Sequence, residues 1–168
     1  MRGYDAGKKV KGRKRHILVD TQGFLLKVQV QAASMQESEG GQQLLESLGG
    51  QFKRLRHLWT DGGYKPAFVE WVTTTLGWTV EVVKPRSKPK GEYAALLRDF
   101  LGEEGYAHRY PDGFRVLPRR WVVERTFAWW LHQRRLSKEY DLLPASSETW
   151  IYLTSSRLLL RRLALSGS

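Results

Sequence analysis

Glycine and proline cut this chain into segments whose hydrophobic periods differ, and the succession of those periods limits the fold more than any other feature. Residues 17–19 (Ile-Leu-Val) are a short apolar run, and Asp20-Thr21-Gln22-Gly23 behind them is turn chemistry. Residues 25–30 then alternate, with Leu26, Val28 and Val30 on one face, so the two runs predict a β-hairpin. Residues 34–48 have a helical period; Ser34 and Glu37 are spaced as a capping box, and Gly49-Gly50 ends the segment. The Gly40-Gly41 pair weakens the middle of that helix. Residues 55–60 predict a third strand, followed at once by Asp61-Gly62-Gly63, and Pro66 opens a helix that runs to Leu76 and stops at Gly77. Residues 79–83 (Thr-Val-Glu-Val-Val) predict a fourth strand, and residues 85–90 a basic, proline-punctuated loop. A short amphipathic helix over 93–101, an irregular stretch over 102–113, a long helix over about 119–136 after Pro118 and a last helix over 147–165 complete the pattern. Strands first, then strands alternating with helices, then helices: the fold class is α/β or α+β with a mixed sheet.

The 168 residues suit one domain spanning 1–168. There is no cysteine, which excludes a disulfide scaffold, thiolate catalysis and Cys-ligated zinc or iron–sulfur sites. No run approaches the ~18 apolar residues of a membrane span, and Met1-Arg2-Gly3-Tyr4-Asp5 is not the start of a signal peptide. A cytoplasmic protein without a membrane partner is the expectation. The 28 Lys and Arg against 17 Asp and Glu leave a net charge of +11, which points to a polyanion, and inside a cell that is commonly nucleic acid. The bases are clustered: Lys8, Lys9, Lys11, Arg13, Lys14 and Arg15; then Lys84, Arg86, Lys88 and Lys90; then Arg115, Arg119, Arg120, Arg125, Arg134 and Arg135.

Two carboxylates stand out. Asp61 follows an apolar strand and opens a Gly-Gly turn; the carboxyl end of a strand is where α/β sheets meet ligands, although Asp-Gly is also an ordinary turn pair. Glu124 falls, at about 100° per residue, beside Trp121, Phe127, Ala128 and Leu131, which read as the apolar stripe of their helix. A charge on a buried stripe is paired or binds a metal; Arg120, one turn earlier, is the available partner. Together Asp61 and Glu124 suggest a Mg²⁺ site, since that ion takes hard oxygen ligands and phosphodiester chemistry commonly uses two such ions. His16, His57, His108 and His132 have no metal-ligand spacing and read as surface or packing residues.

Three strings add to this reading. They are Gly3-Tyr4-Asp5-Ala6-Gly7-Lys8-Lys9-Val10-Lys11-Gly12-Arg13-Lys14-Arg15-His16, then Trp59-Thr60-Asp61-Gly62-Gly63-Tyr64, then Leu117-Pro118-Arg119-Arg120-Trp121-Val122-Val123-Glu124-Arg125-Thr126-Phe127-Ala128-Trp129 with Arg134-Arg135-Leu136-Ser137-Lys138 beyond it. Over essentially the whole chain they resemble the catalytic half of bacterial insertion-sequence transposases of the DDE class, in the branch numbered five among the insertion-sequence families. The resemblance implies an RNase H-like mixed sheet flanked by helices and an Asp-Asp-Glu site binding Mg²⁺ or Mn²⁺ that cleaves DNA and transfers strands. It makes Asp61 the second Asp and Glu124 the Glu. It places Arg120 near DNA phosphate or against that Glu; the first basic cluster (Lys8, Lys9, Lys11, Arg13, Lys14, Arg15), by its clustered charge, and Arg134 and Arg135 are the further expected DNA contacts. Leu117 stands where the family has Tyr, and Leu131 where it has a base, so Arg134 or Arg135 would substitute.

The family's first Asp lies on a strand upstream of the Gly3–His16 string, and Asp5 and Asp20 are not its counterparts. The expectation is therefore a C-terminal segment lacking its first central strand and one metal ligand, completed by an N-terminal portion from an upstream reading frame and assembled as a homo-oligomer on transposon-end and target DNA in the nucleoid. The alternative is a catalytically inactive DNA-binding fragment or regulator. Either way, phosphate contacts dominate binding. Affinity for duplex DNA, followed by fluorescence anisotropy, is expected to fall steeply with salt, by roughly 0.9 log units per log unit of salt for each phosphate neutralised, with little sequence preference. A flat titration would contradict it.

Overall fold

The computed structural model describes residues 2–84, 88–111, 117 and 119–166; Arg86, Arg115 and Pro118, named above, lie outside the described residues. The hairpin forms, and it is longer than the apolar run alone suggests. Strand β1 (Gly3–Asp5) pairs with β2 (Val10–Val19), which pairs antiparallel with β3 (Leu25–Ala32), so the basic string from Val10 to Arg15 is itself strand. The Asp20 carboxylate accepts the amides of Gln22 (2.9 Å) and Phe24 (2.8 Å), closing the turn its sequence announced.

Helix α1 (Glu37–Glu46) starts later than expected: Gln36 is its N-cap and no side chain caps it, so the Ser34–Glu37 capping box is absent. Glu37 is instead drawn to Lys14 (3.0 Å), a charged partner that outweighs a local cap. Gly40 and Gly41 are not weak points. They are buried where the helix meets its neighbours: a methyl at Gly40 would stand 2.5 Å from both Gln31 Oε1 and His16 Nε2, and one at Gly41 2.6 Å from Tyr64 Cε1. Only glycine permits this approach of α1 to the sheet and to the next helix.

Strand β4 (His57–Asp61) leads through the Gly62-Gly63 turn into α2 (Pro66–Trp71). This widens into a π-helical turn over Val72–Leu76 and stops at Gly77, whose φ of 67° suits glycine. Strand β5 (Thr79–Val83) pairs parallel with β4. Helix α3 (Glu92–Arg109) corrects the sequence reading: the stretch after Leu101 is helical through Arg109, with a kink at Gly102 (φ 69°, ψ 162°) that polar composition had disguised as loop. Helix α4 (Arg120–Leu131) is shorter than expected, giving way to a 3₁₀ turn at Arg134–Leu136, and α5 (Pro144–Ser166) starts at its proline.

The architecture is mixed α/β with five α-helices and two separate sheets among the described residues, β1-β2-β3 antiparallel and β4-β5 parallel, rather than one mixed sheet. One core lies between the sheets and α1–α2, around Leu18, Leu44, Leu45, Leu48, Phe68 and Val72. The other joins the hairpin to the last helices through Val28, Val30, Trp130, Leu136 and Ile151.

Helix α4 overturns the apolar stripe read from sequence. Its buried residues are Val122, Thr126 and Trp130, one turn apart, while Trp121 is 40% exposed and Leu131 also faces out. The Thr126 hydroxyl, shared between the Val122 and Gly23 carbonyls (3.0 and 2.8 Å), fixes that rotation against the hairpin turn. Glu124 therefore lies on the open side, and of the seven tryptophans only Trp130 is fully buried. The rest are partly or well exposed.

His16 is a packing residue, buried against Gly40. Burial holds its imidazole below the usual 6.5, with Glu37 and Asp61 pulling upward and Lys14 pushing down. The unfolded chain takes up that proton more readily, so neutral His16 stabilises the fold above pH 6.5 and the contribution is lost as pH falls through the folded-state pKa. The melting temperature is expected to drop as pH falls below about 6.5, with His16→Gln flattening part of that slope. An unchanged slope would remove His16 from the account.

Candidate functional site

Asp61 is the last residue of β4, exposed, with Oδ1 accepting the Gly63 amide at 2.9 Å in an Asx turn. The Gly-Gly turn keeps this end clear: the position a Cβ would take on Gly63 lies 3.1 Å from Asp61 Oδ1 and 3.3 Å from Glu37 Cγ. Glu37 and Asp61 are therefore close neighbours. Tyr64, half-buried beside them, has its hydroxyl pushed up to about 12, by burial first and then by the charges of Asp61 and Glu37.

Glu124 reaches the same cleft from α4. Asp61, Glu37, Tyr64, Arg119, Arg120 and Glu124 all line one cavity of 1310 Å³ that opens between β2, β4 and α4. Arg120 Nε meets Glu124 Oε1 at 3.2 Å, the pair foreseen one turn apart, with both side chains about half exposed. A pair so exposed is worth only about 0.3–0.5 kcal/mol and does not lock the carboxylate away from a stronger partner. Arg119, just before α4, has φ of 73°, unusual for a long side chain, and its guanidinium lies 4.7 Å from the centre of the Trp59 ring. That contact ties the start of α4 to the strand that carries Asp61.

Glu37, Tyr64 and Arg119 were missed as site residues. The capping-box reading gave Glu37 a local role, and nothing in the spacing of residues 37 and 61 announces that α1 starts beside the end of β4. For Arg119 the available signal was its place directly before the helix that carries Glu124.

The basic residues separate into two populations. Lys8 and Lys9, at the β1–β2 turn, and Lys11, on β2, are exposed, as are Arg120, Arg134 and Arg135. Arg13 is not free: its side chain is 2% exposed, 3.1 Å from Glu139 and 3.0 Å from the Asp141 carbonyl, and also bonded to the Leu142 carbonyl. Arg15 binds the Leu136 carbonyl (3.2 Å) and Glu139 (3.5 Å). Lys14 joins Glu37 (3.0 Å), Asp5 (3.3 Å) and the Met35 carbonyl (2.8 Å). Burial lowers its ammonium pKa, but Glu37 and Asp5 outweigh burial and raise it. Arg135 holds Asp141 at 3.2 Å.

A metal would find donors of the right kind here but few of them. Asp61 and Glu124 offer hard carboxylate oxygens in one cleft, whereas no group of three His, Cys, Asp or Glu able to hold a metal ion occurs among the described residues. No helix is long and apolar enough to cross a membrane among the described residues.

The two basic populations should separate experimentally. Arg13→Ala is expected to cost about 3 kcal/mol of stability by removing a buried guanidinium from Glu139 and from the Asp141 and Leu142 carbonyls, whereas Lys9→Ala should stay within about 0.5 kcal/mol. Denaturant midpoints measure both, and equal midpoints would show the Arg13 pair to be unimportant.

Comparison with known proteins bears on what the cleft is for. No curated protein and no solved structure matches the chain. The family model described as Transposase DDE domain matches residues 1–159, nearly the whole length, and members of that family generally use divalent metal ions. A match to that family's model over residues 1–159 makes this protein a member of the DDE transposase family.

Proposed function

We propose that the chain is an RNase H-like catalytic domain of an insertion-sequence transposase, in the branch numbered five, and that Asp61 and Glu124 bind Mg²⁺ or Mn²⁺ for cleavage and joining of DNA. The observation that carries the reading is that Asp61 and Glu124, 63 positions apart in sequence, line one cleft. Their oxygens are the donors such an ion prefers, and bound there it would supply Lewis acidity at a phosphodiester. Arg120 holds Glu124 in place through its Nε (3.2 Å), and Asp61 is oriented by the Gly63 amide (2.9 Å). Exposed Lys8, Lys9, Lys11 and Arg134 are placed to meet phosphate, whereas Arg13, Lys14 and Arg15 serve chiefly to hold the fold in which the site is built.

Two carboxylates are one short of the class's triad. In this reading the third comes from a transposase portion encoded upstream, and the protein acts as a homo-oligomer on transposon-end and target DNA. A second reading, an inactive DNA-binding regulator, is favoured by the exposed Lys8, Lys9 and Lys11, which need no metal to meet phosphate.

Strand-transfer assays on transposon-end DNA with Mg²⁺ or Mn²⁺ decide between them. The chain alone is expected to give no joined product. Adding the upstream portion should restore joining, and Asp61→Asn or Glu124→Gln should abolish it, by a hundredfold or more, while leaving DNA binding intact. Joining by the chain alone would refute the need for a third ligand. Failure of the completed pair would leave the regulator.

A further inference from the structure

Two helices away from the cleft carry surfaces that are opposite in charge and alike in being uncovered. Helix α5 packs one face on the hairpin and α4: Ile151 joins Val28, Val30 and Trp130, and Ser155 Oγ accepts the Trp130 indole N–H at 3.1 Å. At about 100° per residue, Trp150, Leu153, Arg157, Leu160 and Arg161 fall together on the opposite face, and all five are exposed. With Arg134 and Arg135 of the 3₁₀ turn they line a groove of 610 Å³ that contains no acidic residue. Arg135 lies 5.2 Å from the centre of the Trp150 ring and holds Asp141. Arg157 and Arg161 meet no carboxylate among the described residues.

Helix α3 carries the counterpart. In the half before the Gly102 kink, Tyr93, Leu96 and Phe100 recur at the three- and four-residue steps of a single helix face. That face is open, with Phe100 83% and Leu96 69% exposed, and an exposed apolar stripe of this kind marks an interaction site. Glu92 and Asp99 border it, and Glu103 and Glu104 follow the kink; all four are exposed and in no ion pair among the described residues. The kink leaves the stripe uncovered, because its contact, Arg98 over the Tyr106 ring at 4.7 Å, uses the other side of the helix. A chain with a net charge of +11 thus keeps one acidic, apolar helix on its surface.

We propose that α3 of one copy docks in the α5 groove of a second copy. Tyr93, Leu96 and Phe100 are the apolar anchors, received by Trp150, Leu153 and Leu160, while Glu92 and Asp99 meet Arg157 and Arg161. Charge selects this occupant. Packing α5 on α5 would oppose arginines and packing α3 on α3 would oppose carboxylates, whereas the cross pairing matches opposite charges around an apolar centre. A phosphate backbone would satisfy the arginines and leave Leu153 and Leu160 bare. The mutual repulsion of two copies is screened beyond about 8 Å at physiological salt, so the charges at the contact decide. Each copy carries both halves, which makes the contact heterologous: it continues from head to tail unless a two-fold axis closes it. It goes beyond the assembly on DNA proposed above, since it needs neither DNA nor metal, and its failure would leave that reading untouched.

Sedimentation velocity of the full chain without DNA, over a hundredfold range of concentration, tests it. The average mass is expected to rise with concentration. Glu92→Arg with Asp99→Arg, and separately Arg157→Glu with Arg161→Glu, should each shift association to at least tenfold higher concentration. The second pair lowers the net charge, which by itself would favour association, so its loss reports the contact. Mixing the two variants should restore association, because each then presents the charge that the other lacks; circular dichroism checks that both are folded. A wild-type chain that stays monomeric, variants that associate as the wild type does, or a mixture that stays monomeric would each overturn the inference. So would a monomeric wild type whose duplex-DNA affinity collapses in the α5 variant, which would make the groove a phosphate surface.

Discussion

Backbone groups along a strand edge need partners, and among the described residues the hairpin finds them in α5 along β3 but, along the far side of β2, only at Val10–Gly12, where β1 pairs. Helix α5 covers β3 with Glu148 and Tyr152, while β2 and β4 confront one another unpaired. The position of both carboxylates follows from that gap. It opens beside the carboxyl end of β4, where Asp61 emerges, and α4 brings Glu124 to its rim. Were β2 and β4 paired directly, the floor of leucines would have no cavity above it and the two carboxylates no common space.

Charge in this protein does two jobs. A net charge of +11 suggests a surface given over to a polyanion, yet much of the first basic cluster works inward. Arg13 and Arg15 hold Glu139 and the carbonyls after α4, fixing the last helices to the hairpin, and Lys14 gathers Asp5 and Glu37 beside the cleft. Aromatic rings take further guanidiniums: Arg125 lies between Trp121 and Trp129, and Arg162 between Trp129 and Phe24. Such contacts stabilise an arginine without neutralising it, so the face stays positive while the side chains stay ordered.

The legible parts of the fold were those in which local chemistry decides. The Asp20 turn, the Pro66 helix start, the Gly77 stop and the fourth strand all rest on neighbours within a few residues, and each was found close to where its residues implied. Errors came where partners are remote. Ser34 and Glu37 satisfy a capping pattern, but Lys14 holds Glu37 from the other side of the site. The kinked half of α3 looked irregular because its glycines and charges carry little hydrophobic period. On α4, Trp121 and Leu131 suggested a buried stripe by their size, whereas the hairpin turn selects the face bearing Thr126, whose hydroxyl it can satisfy.

By itself the sequence determined the family, the Asp at a strand end, the Glu on a helix with its Arg one turn before, and the excess of base, because each is written in contiguous residues. The tertiary structure alone decided that Glu124 faces the open cleft and is not buried, that Glu37 and Tyr64 stand beside Asp61, and that the strands form two sheets with a slot between them. The physical reason is that helix rotation and strand pairing are settled by which distant backbone groups and side chains can satisfy one another. No window along the chain contains both members of those contacts.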